Sequence, residues 1–332
     1  MTICPEERCT GCGACQSACP ADCITLTLNS AGDRVAVIDE SRCTHCGKCS
    51  RICPVLHPPV LREIRTALAA YAVEAQVRQS SASGGAAAVL ARQVVESGGC
   101  AYGAAFTAPT TVELVRVNAP AQLPRLQGSK YVHAATGSAY RKVQADLKAG
   151  RQVLFTGTPC QVAGLYAYLG SDPPGLTTCD LVCHGVPEAD TLPAYLQTEL
   201  NPAAITRLTF RDGDGWVMKA YDRDGGVLRR MDLKNSLYYN GFMEGYLYRT
   251  GCYTCPYATE KRVADLTLGD FWGIGEETPY PNAAAELKKG LSLILVHTDK
   301  GQALLNACAP ALVTTLRTPA GAVKKNHQLR HP

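Results

Sequence analysis

Cys9, Cys12, Cys15 and Cys19, followed by Pro20, form a C-x-x-C-x-x-C-x-x-x-C-P run, and Cys43, Cys46, Cys49 and Cys53, followed by Pro54, repeat it. Thiolates at this spacing wrap one iron–sulfur cluster from a single tight loop, and in a duplicated run the fourth cysteine crosses to the other cluster. The pattern predicts one 4Fe-4S cluster on Cys9, Cys12, Cys15 and Cys53 and a second on Cys43, Cys46, Cys49 and Cys19. A zinc ribbon would use two separated C-x-x-C pairs instead of a four-cysteine run closed by proline. Gly11, Gly13 and Gly47 are expected to relieve crowding where backbone approaches sulfide. Cys4 and Cys23 fit no ligand position and read as buried or incidental thiols.

Four later cysteines invite the same question: Cys160 in Thr156-Gly157-Thr158-Pro159-Cys160-Gln161, Cys183 in Cys183-His184-Gly185, and the C-x-x-C pair Cys252 and Cys255. A C-x-x-C pair alone binds zinc, works as a dithiol or does neither. From spacing, the four fit an iron–sulfur cluster or a structural zinc, with Cys179 competing with Cys183 for one position. Cys100 and Cys308 lie among small or apolar residues and read as core thiols. Ser80-Ser81-Ala82-Ser83-Gly84-Gly85 precedes an apolar helical stretch. Such a start offers free N–H groups to a phosphate, although composition favours a plain serine-capped helix. Gly128-Ser129-Lys130-Tyr131 offers a cation and an aromatic face. No G-x-G-x-x-G follows a strand, so a Rossmann dinucleotide site is not indicated.

The elements that must hold these residues are partly legible. Cys23 to Leu28 and Arg34 to Ile38 alternate around Asn29-Ser30-Ala31-Gly32-Asp33, which predicts a hairpin joining two pseudo-symmetric halves. A proline-rich break at Val55-Leu56-His57-Pro58-Pro59 divides a ferredoxin domain over residues 1–58 from a larger domain over 59–332. In the latter, helices are expected over Ala86 to Ser97 and Ser138 to Ala149, and strands over Val153 to Phe155 and Leu291 to Val296. The predicted fold is α+β or mixed α/β. The 332 residues carry 33 basic and 29 acidic side chains, a net charge of +4 too diffuse for a nucleic-acid footprint. Seventeen cysteines without an apolar leader or an eighteen-residue apolar run point to metal or redox chemistry, no membrane span and a cytoplasmic location.

Together the motifs resemble the beta subunit of coenzyme F-420 hydrogenase/dehydrogenase, in its version with an N-terminal two-cluster ferredoxin domain. Six segments carry the resemblance in the family's order: Ser83-Gly84-Gly85, Gly128 to Tyr131, Gly157 to Gln161, Cys183 to Gly185, Cys252 with Cys255, and Ala264 to Gly273. The resemblance implies FAD beside a third 4Fe-4S cluster held by Cys160, Cys183, Cys252 and Cys255, with Cys179 in reserve. It carries over Ser83, Gly84, Gly85, Ser129, Lys130, Tyr131, Thr156 and Thr158 as FAD contacts. The implied function is an iron–sulfur flavoprotein oxidoreductase passing electrons between one-electron carriers and a two-electron substrate. Its partners would be a ferredoxin or another redox protein and a small molecule. The rival readings are an electron-transfer subunit of a larger complex with no substrate site of its own, and a zinc-bearing binding module wired to a ferredoxin sensor. Relatives act on quite different molecules, so the resemblance names no substrate, and Asp270-Phe271-Trp272-Gly273 resembles a bacterial branch rather than F-420 users. His184 and Asp270 are the candidate catalytic residues. A histidine beside a ligand reads more readily as hydrogen-bonding support, and the Phe-Trp-Gly stretch as packing and turn.

Overall fold

The two cysteine runs fold as near copies. In the computed structural model, which describes residues 1–211, 215–276, 278–326 and 329–331, each run ends in a short helix, Ala14–Ala18 and Lys48–Arg51. Each helix follows a left-handed glycine, Gly13 at φ 77° and Gly47 at φ 68°. Between the copies, β1 (Ile24–Leu28) pairs antiparallel with β2 (Arg34–Ile38). The predicted turn is closed by the Asn29 side chain, which accepts from the amides of Ala31 and Asp33 at 3.0 and 2.9 Å.

The copies differ at one left-handed position, Gly11 at φ 62° in the first and His45 at φ 53° in the second. A Cβ on residue 11 would stand 2.8 Å from Arg249 Nη1, whereas His45 faces solvent. Gly11 therefore serves a close approach by the larger domain, and it also lines the hollow of the first cysteine run. The first cysteine loop faces inward and the second outward.

The larger domain is built on an eight-stranded sheet of β3 (Thr66–Ala72), β4 (Cys100–Ala108), β5 (Thr111–Val117), β6 (Val153–Gly157), β7 (Leu176–Leu181), β11 (Leu266–Asp270), β12 (Ser292–Val296) and β13 (Leu312–Arg317), in the order β13-β3-β12-β11-β7-β6-β4-β5. Strands β11, β7, β6 and β4 run parallel. Antiparallel neighbours close both sides. The parallel centre makes this a mixed α/β fold, because its strands need helices on both faces. Alternate residues supply the two cores. Ala101 and Leu154 pack with the helices Ala86–Glu96 and Asp299–Ala307. Tyr102, Val153 and Phe155 pack with the helices Ala139–Lys148 and Pro159–Leu169. The expected helices and strands are thus present, with ends shifted by a residue or two. A separate three-stranded antiparallel sheet of β8 (Arg207–Thr209), β9 (Val217–Tyr221) and β10 (Val227–Asp232) had no clear sequence signal.

The ferredoxin-like module is docked by specific polar contacts. Arg141 donates to the Ser17 carbonyl at 2.8 Å, Thr136 Oγ1 to the Cys12 carbonyl at 2.9 Å, and the Thr250 amide to Asp33 Oδ2 at 3.0 Å. Among the described residues no helix is long and apolar enough to cross a membrane.

Candidate iron–sulfur site

The motifs of the larger domain converge on one rim. Thr158 and Cys160 follow β6, Cys183 and His184 follow β7, and Asp270 ends β11, so all lie at the carboxyl ends of the parallel strands. Register brings the other end of the sheet to the same rim, since Ser292 opposes both Asp270 and Ala70. Gly84 is wedged there, where a Cβ would stand 2.3 Å from the Ala70 carbonyl and 2.7 Å from the Ser292 amide. Carboxyl-end rims are where open α/β sheets bind ligands.

The cysteines fall into three sets. Cys9, Cys12, Cys15 and Cys53 line one hollow, whose other walls include Ile3, Leu26 and Ala36. Cys53 comes from the second run, as the crossed pattern requires. Cys19 lies with the other run, packing with Cys43 and Cys49 around Cys23, Ile24 and Ile38. Cys160, Cys183, Cys252 and Cys255 line a second hollow of about 570 Å³, part of it open to solvent, and Cys9 and Thr10 border both hollows. Cys46 alone of the twelve is exposed. Cys179 is fully buried in β7 and lines neither hollow. Cys4 also lines the first hollow, and Cys23 Sγ lies 3.4 Å from Cys19 Sγ. Both are buried as expected and stand beside cysteines of the two runs. Cys308 is a core thiol, while Cys100, equally buried, contacts Asp146 Oδ2 at 3.2 Å in a polar network.

The donor set around the second hollow is four cysteine thiols, chemistry that suits an iron–sulfur cluster or a zinc ion. Burial pushes Cys252 up to about 12, against a hydrogen bond from the Val186 backbone, and with Cys160 nearby it pushes Cys255 up to about 11. Near neutrality these two are therefore thiols, and serving as metal ligands would mean giving up their protons to a bound cation. Thr10 Oγ1, at the border of both hollows, is buried without a partner among the described residues.

Two buried arginines hold the loop that carries Cys252 and Cys255. Arg249 bonds Glu188 Oε2 at 2.7 Å and the Arg34 carbonyl at 2.8 Å. Arg262 donates to the carbonyls of Tyr257 and Leu181 at 2.9 and 2.8 Å and pairs with Asp180 at 3.3 Å. It thereby ties the C-x-x-C loop to the strand end that leads into Cys183. Tyr257, 5 % exposed, lines the second hollow beside Cys255. None of these residues stood out in the sequence. A buried arginine has no local signature, although Arg249 lies only three residues before Cys252.

The proposed FAD contacts also lie at the rim but are not alike. Ser83 Oγ donates to the Leu291 carbonyl at 3.0 Å. Left-handed Gly85, φ 87°, starts the Ala86–Glu96 helix without a side-chain cap, so the expected serine cap is absent and the helix start keeps donors available. Thr158 and Gln161 form a capping box, and Thr158 Oγ1 lies 3.1 Å from Cys160 Sγ. Thr156 is half-buried in β6. Lys130 turns its amine onto the carbonyls of Gln127 and Arg125 at 2.8 and 3.2 Å, and burial brings its pKa down to about 7. Its amine is therefore already engaged by backbone carbonyls. Ser129 lies beside Tyr131, whose ring stacks on Trp216 and Phe242 at 5.9 and 4.6 Å. His184 Nδ1 bonds the Tyr248 hydroxyl, and burial lowers its pKa to about 4. Asp270 is paired with Arg211 at 2.7 Å, and Trp272 stacks on Trp216.

A two-run cysteine module docked on a mixed α/β sheet, with a further cysteine set at the sheet rim, defines an iron–sulfur electron-transfer protein of the oxidoreductase type. Residues 8–56 match the 4Fe-4S dicluster domain. Residues 150–321, just over half of the chain, match the model for the C terminus of the Coenzyme F420 hydrogenase/dehydrogenase beta subunit, and the chain belongs to that family. Its fold is similar to that of a chain in the F420-reducing [NiFe] hydrogenase complex from Methanosarcina barkeri, with a TM-score of 0.53 at 19% identity, over 77% of this chain and 84% of that one. No curated protein matches the sequence.

Proposed function

We propose that the protein passes electrons between a one-electron carrier and a two-electron reaction at the sheet rim, using three 4Fe-4S clusters and FAD. When bound, the clusters would carry single electrons and FAD would collect two as a hydride equivalent. The twelve cysteines would hold the clusters in the sets described: Cys9, Cys12, Cys15 and Cys53; Cys43, Cys46, Cys49 and Cys19; and Cys160, Cys183, Cys252 and Cys255. The observation that carries this reading is the placement of the last four. They come from three distant segments, line one hollow, and share the border residues Cys9 and Thr10 with the hollow of the first set.

The chain's own residues give the route two ends. Exposed Cys46 marks the outer end, where a ferredoxin-type partner would dock. At the inner end, the uncapped helix after Gly85 would face FAD phosphate, and Ser83, Gly84, Ser129, Tyr131, Thr156 and Thr158 would line its site. His184 is held neutral against Tyr248 and supports the Cys183 loop. Asp270 is held by Arg211 and orients the aromatic wall of Trp216 and Trp272. The match to a chain of a hydrogenase complex supports a partner subunit as well, and a second enzyme component would then occupy the rim.

Anaerobic purification with iron, zinc and flavin quantified together tests the proposal. Three clusters of four irons require about twelve irons per chain, and one FAD is expected. Cys160→Ser should lose about a third of the iron while leaving the N-terminal cluster spectra intact. Eight irons with one zinc would sink the third cluster, and a flavin-free chain would sink the flavin.

A further inference from the structure

Arg249 stands between the two inner cysteine sets and is 3 % exposed. It lines the hollow of the Cys160 set, and its Nη2 reaches the Cys9 carbonyl at 3.3 Å. Its guanidinium also stands within 2.8 Å of where a Cβ on Gly11 would lie. One full positive charge thus lines the Cys160 hollow and lies against Cys9 and Gly11, which line the other. Its counter-charge is Glu188, 6 % exposed, whose carboxylate is further held by the amides of Arg34 and Ala189, each at 2.8 Å.

Joining two modules does not require such a pair. Burying two ions costs several kcal/mol of desolvation each, and apolar residues of the same volume are often as stable. The position is more informative than the bond. Both neighbouring sites would gain negative charge on reduction, and a cation fixed in a poorly solvated interface favours the more negative state. The outer set, with Cys46 exposed, is screened by water and salt.

Resting on the reading that the Cys9 and Cys160 sets hold clusters, we propose that Arg249 and Glu188 together set the potentials of the two inner clusters above that of the outer one. Arg249 favours the reduced form of both inner clusters, and Glu188 limits the effect. The pair makes inward transfer downhill and acts as a positioning device for charge, without itself exchanging electrons.

The test is an anaerobic redox titration of the full-length protein followed by electron paramagnetic resonance, with Cys160→Ser assigning the signals. Arg249→Gln should lower the inner midpoints by on the order of tenfold in the reduction equilibrium, about 59 mV for a one-electron couple. Glu188→Gln should shift them the opposite way, and Arg249→Lys should stay near the parent. The outer midpoint should not move. A purely structural pair predicts the same direction for both neutralising variants, because each breaks the same bond, and that result overturns the proposal. Equal shifts in all clusters overturn it too. If Arg249→Gln does not fold, a Glu188→Gln chain with unshifted inner midpoints still refutes it. A parent chain with iron for only two clusters would count against the third-cluster reading alone, and the Cys9 set would still decide the role of Arg249.

Discussion

Gly164→Ala sets two physical effects against each other. The residue lies inside the Pro159–Leu169 helix, where glycine costs about 0.8–1.0 kcal/mol relative to alanine. Propensity alone therefore predicts a stabilised protein. Gly164, however, follows Cys160 by one helical turn on the same face, and that face receives the first cysteine loop. An added Cβ would stand 2.8 Å from the Tyr140 hydroxyl and 3.0 Å from both Cβ and Sγ of Cys12. Neither neighbour gives way cheaply. Tyr140 is fully buried and its hydroxyl bonds the Gln161 carbonyl at 2.7 Å, while Cys12 belongs to a proposed ligand set. Overpacking of this kind costs about 1–3 kcal/mol, and a lost buried hydrogen bond adds about 1. Set against the helical gain, the net is a loss of roughly 1–3 kcal/mol. Anaerobic thermal unfolding should show a midpoint lowered by several degrees, and iron analysis should show weakened retention by the Cys12 set. An unchanged or raised midpoint with full iron would mean that the modules do not meet this closely, and would refute the reasoning.

Breaking the fully buried Arg262–Asp180 pair with Arg262→Met should destabilise the protein by about 3–5 kcal/mol, read from denaturant unfolding. Adding Asp180→Leu should recover much of that, and an additive loss would count against a coupled pair. Asp146 is pushed up by burial, but hydrogen bonds from Arg116, Tyr102 and Cys100 outweigh this and bring its carboxyl to about 2. Because its folded pKa lies below the ordinary 3.8, the stability it contributes is complete above that value and is lost as pH falls toward 2. The difference in urea midpoint between the parent and Asp146→Asn should therefore shrink from pH 5 to pH 2.5, and a constant difference would contradict the linkage. Lys48 and Arg51 are exposed beside the outward cysteine loop. The double variant Lys48→Glu and Arg51→Glu should slow reduction by an acidic ferredoxin several-fold at low salt. The gap should close near 1 M salt, where the Debye length is about 3 Å, and equal rates at every ionic strength would exclude docking there.

The sequence by itself determined the features that are local in the chain. Each four-cysteine run spans a single turn-and-helix unit, so spacing alone announces the module that the dicluster match confirms. The hairpin of Ile24–Leu28 and Arg34–Ile38, the longer helices and the apolar strands follow from short-range periodicity. The segments Thr156 to Gln161 and Cys183 to Gly185 were recognisable as motifs. Their common location was not. Cys160 and Cys183 meet because β6 and β7 are parallel neighbours whose carboxyl ends share a rim, the Cys252–Cys255 loop is tied there through Arg262, and strand order leaves no trace in local pattern. The same holds for Arg249, Glu188 and Arg262, whose charges acquire meaning only once burial gives each its fixed partners. Lys130 shows the converse, since its motif is plain in the sequence while its amine is committed to nearby carbonyls. Tertiary structure alone decided which cysteine loop faces inward, because the two runs are nearly identical and differ in the surface that each one meets: Arg249 over Gly11, and water over His45.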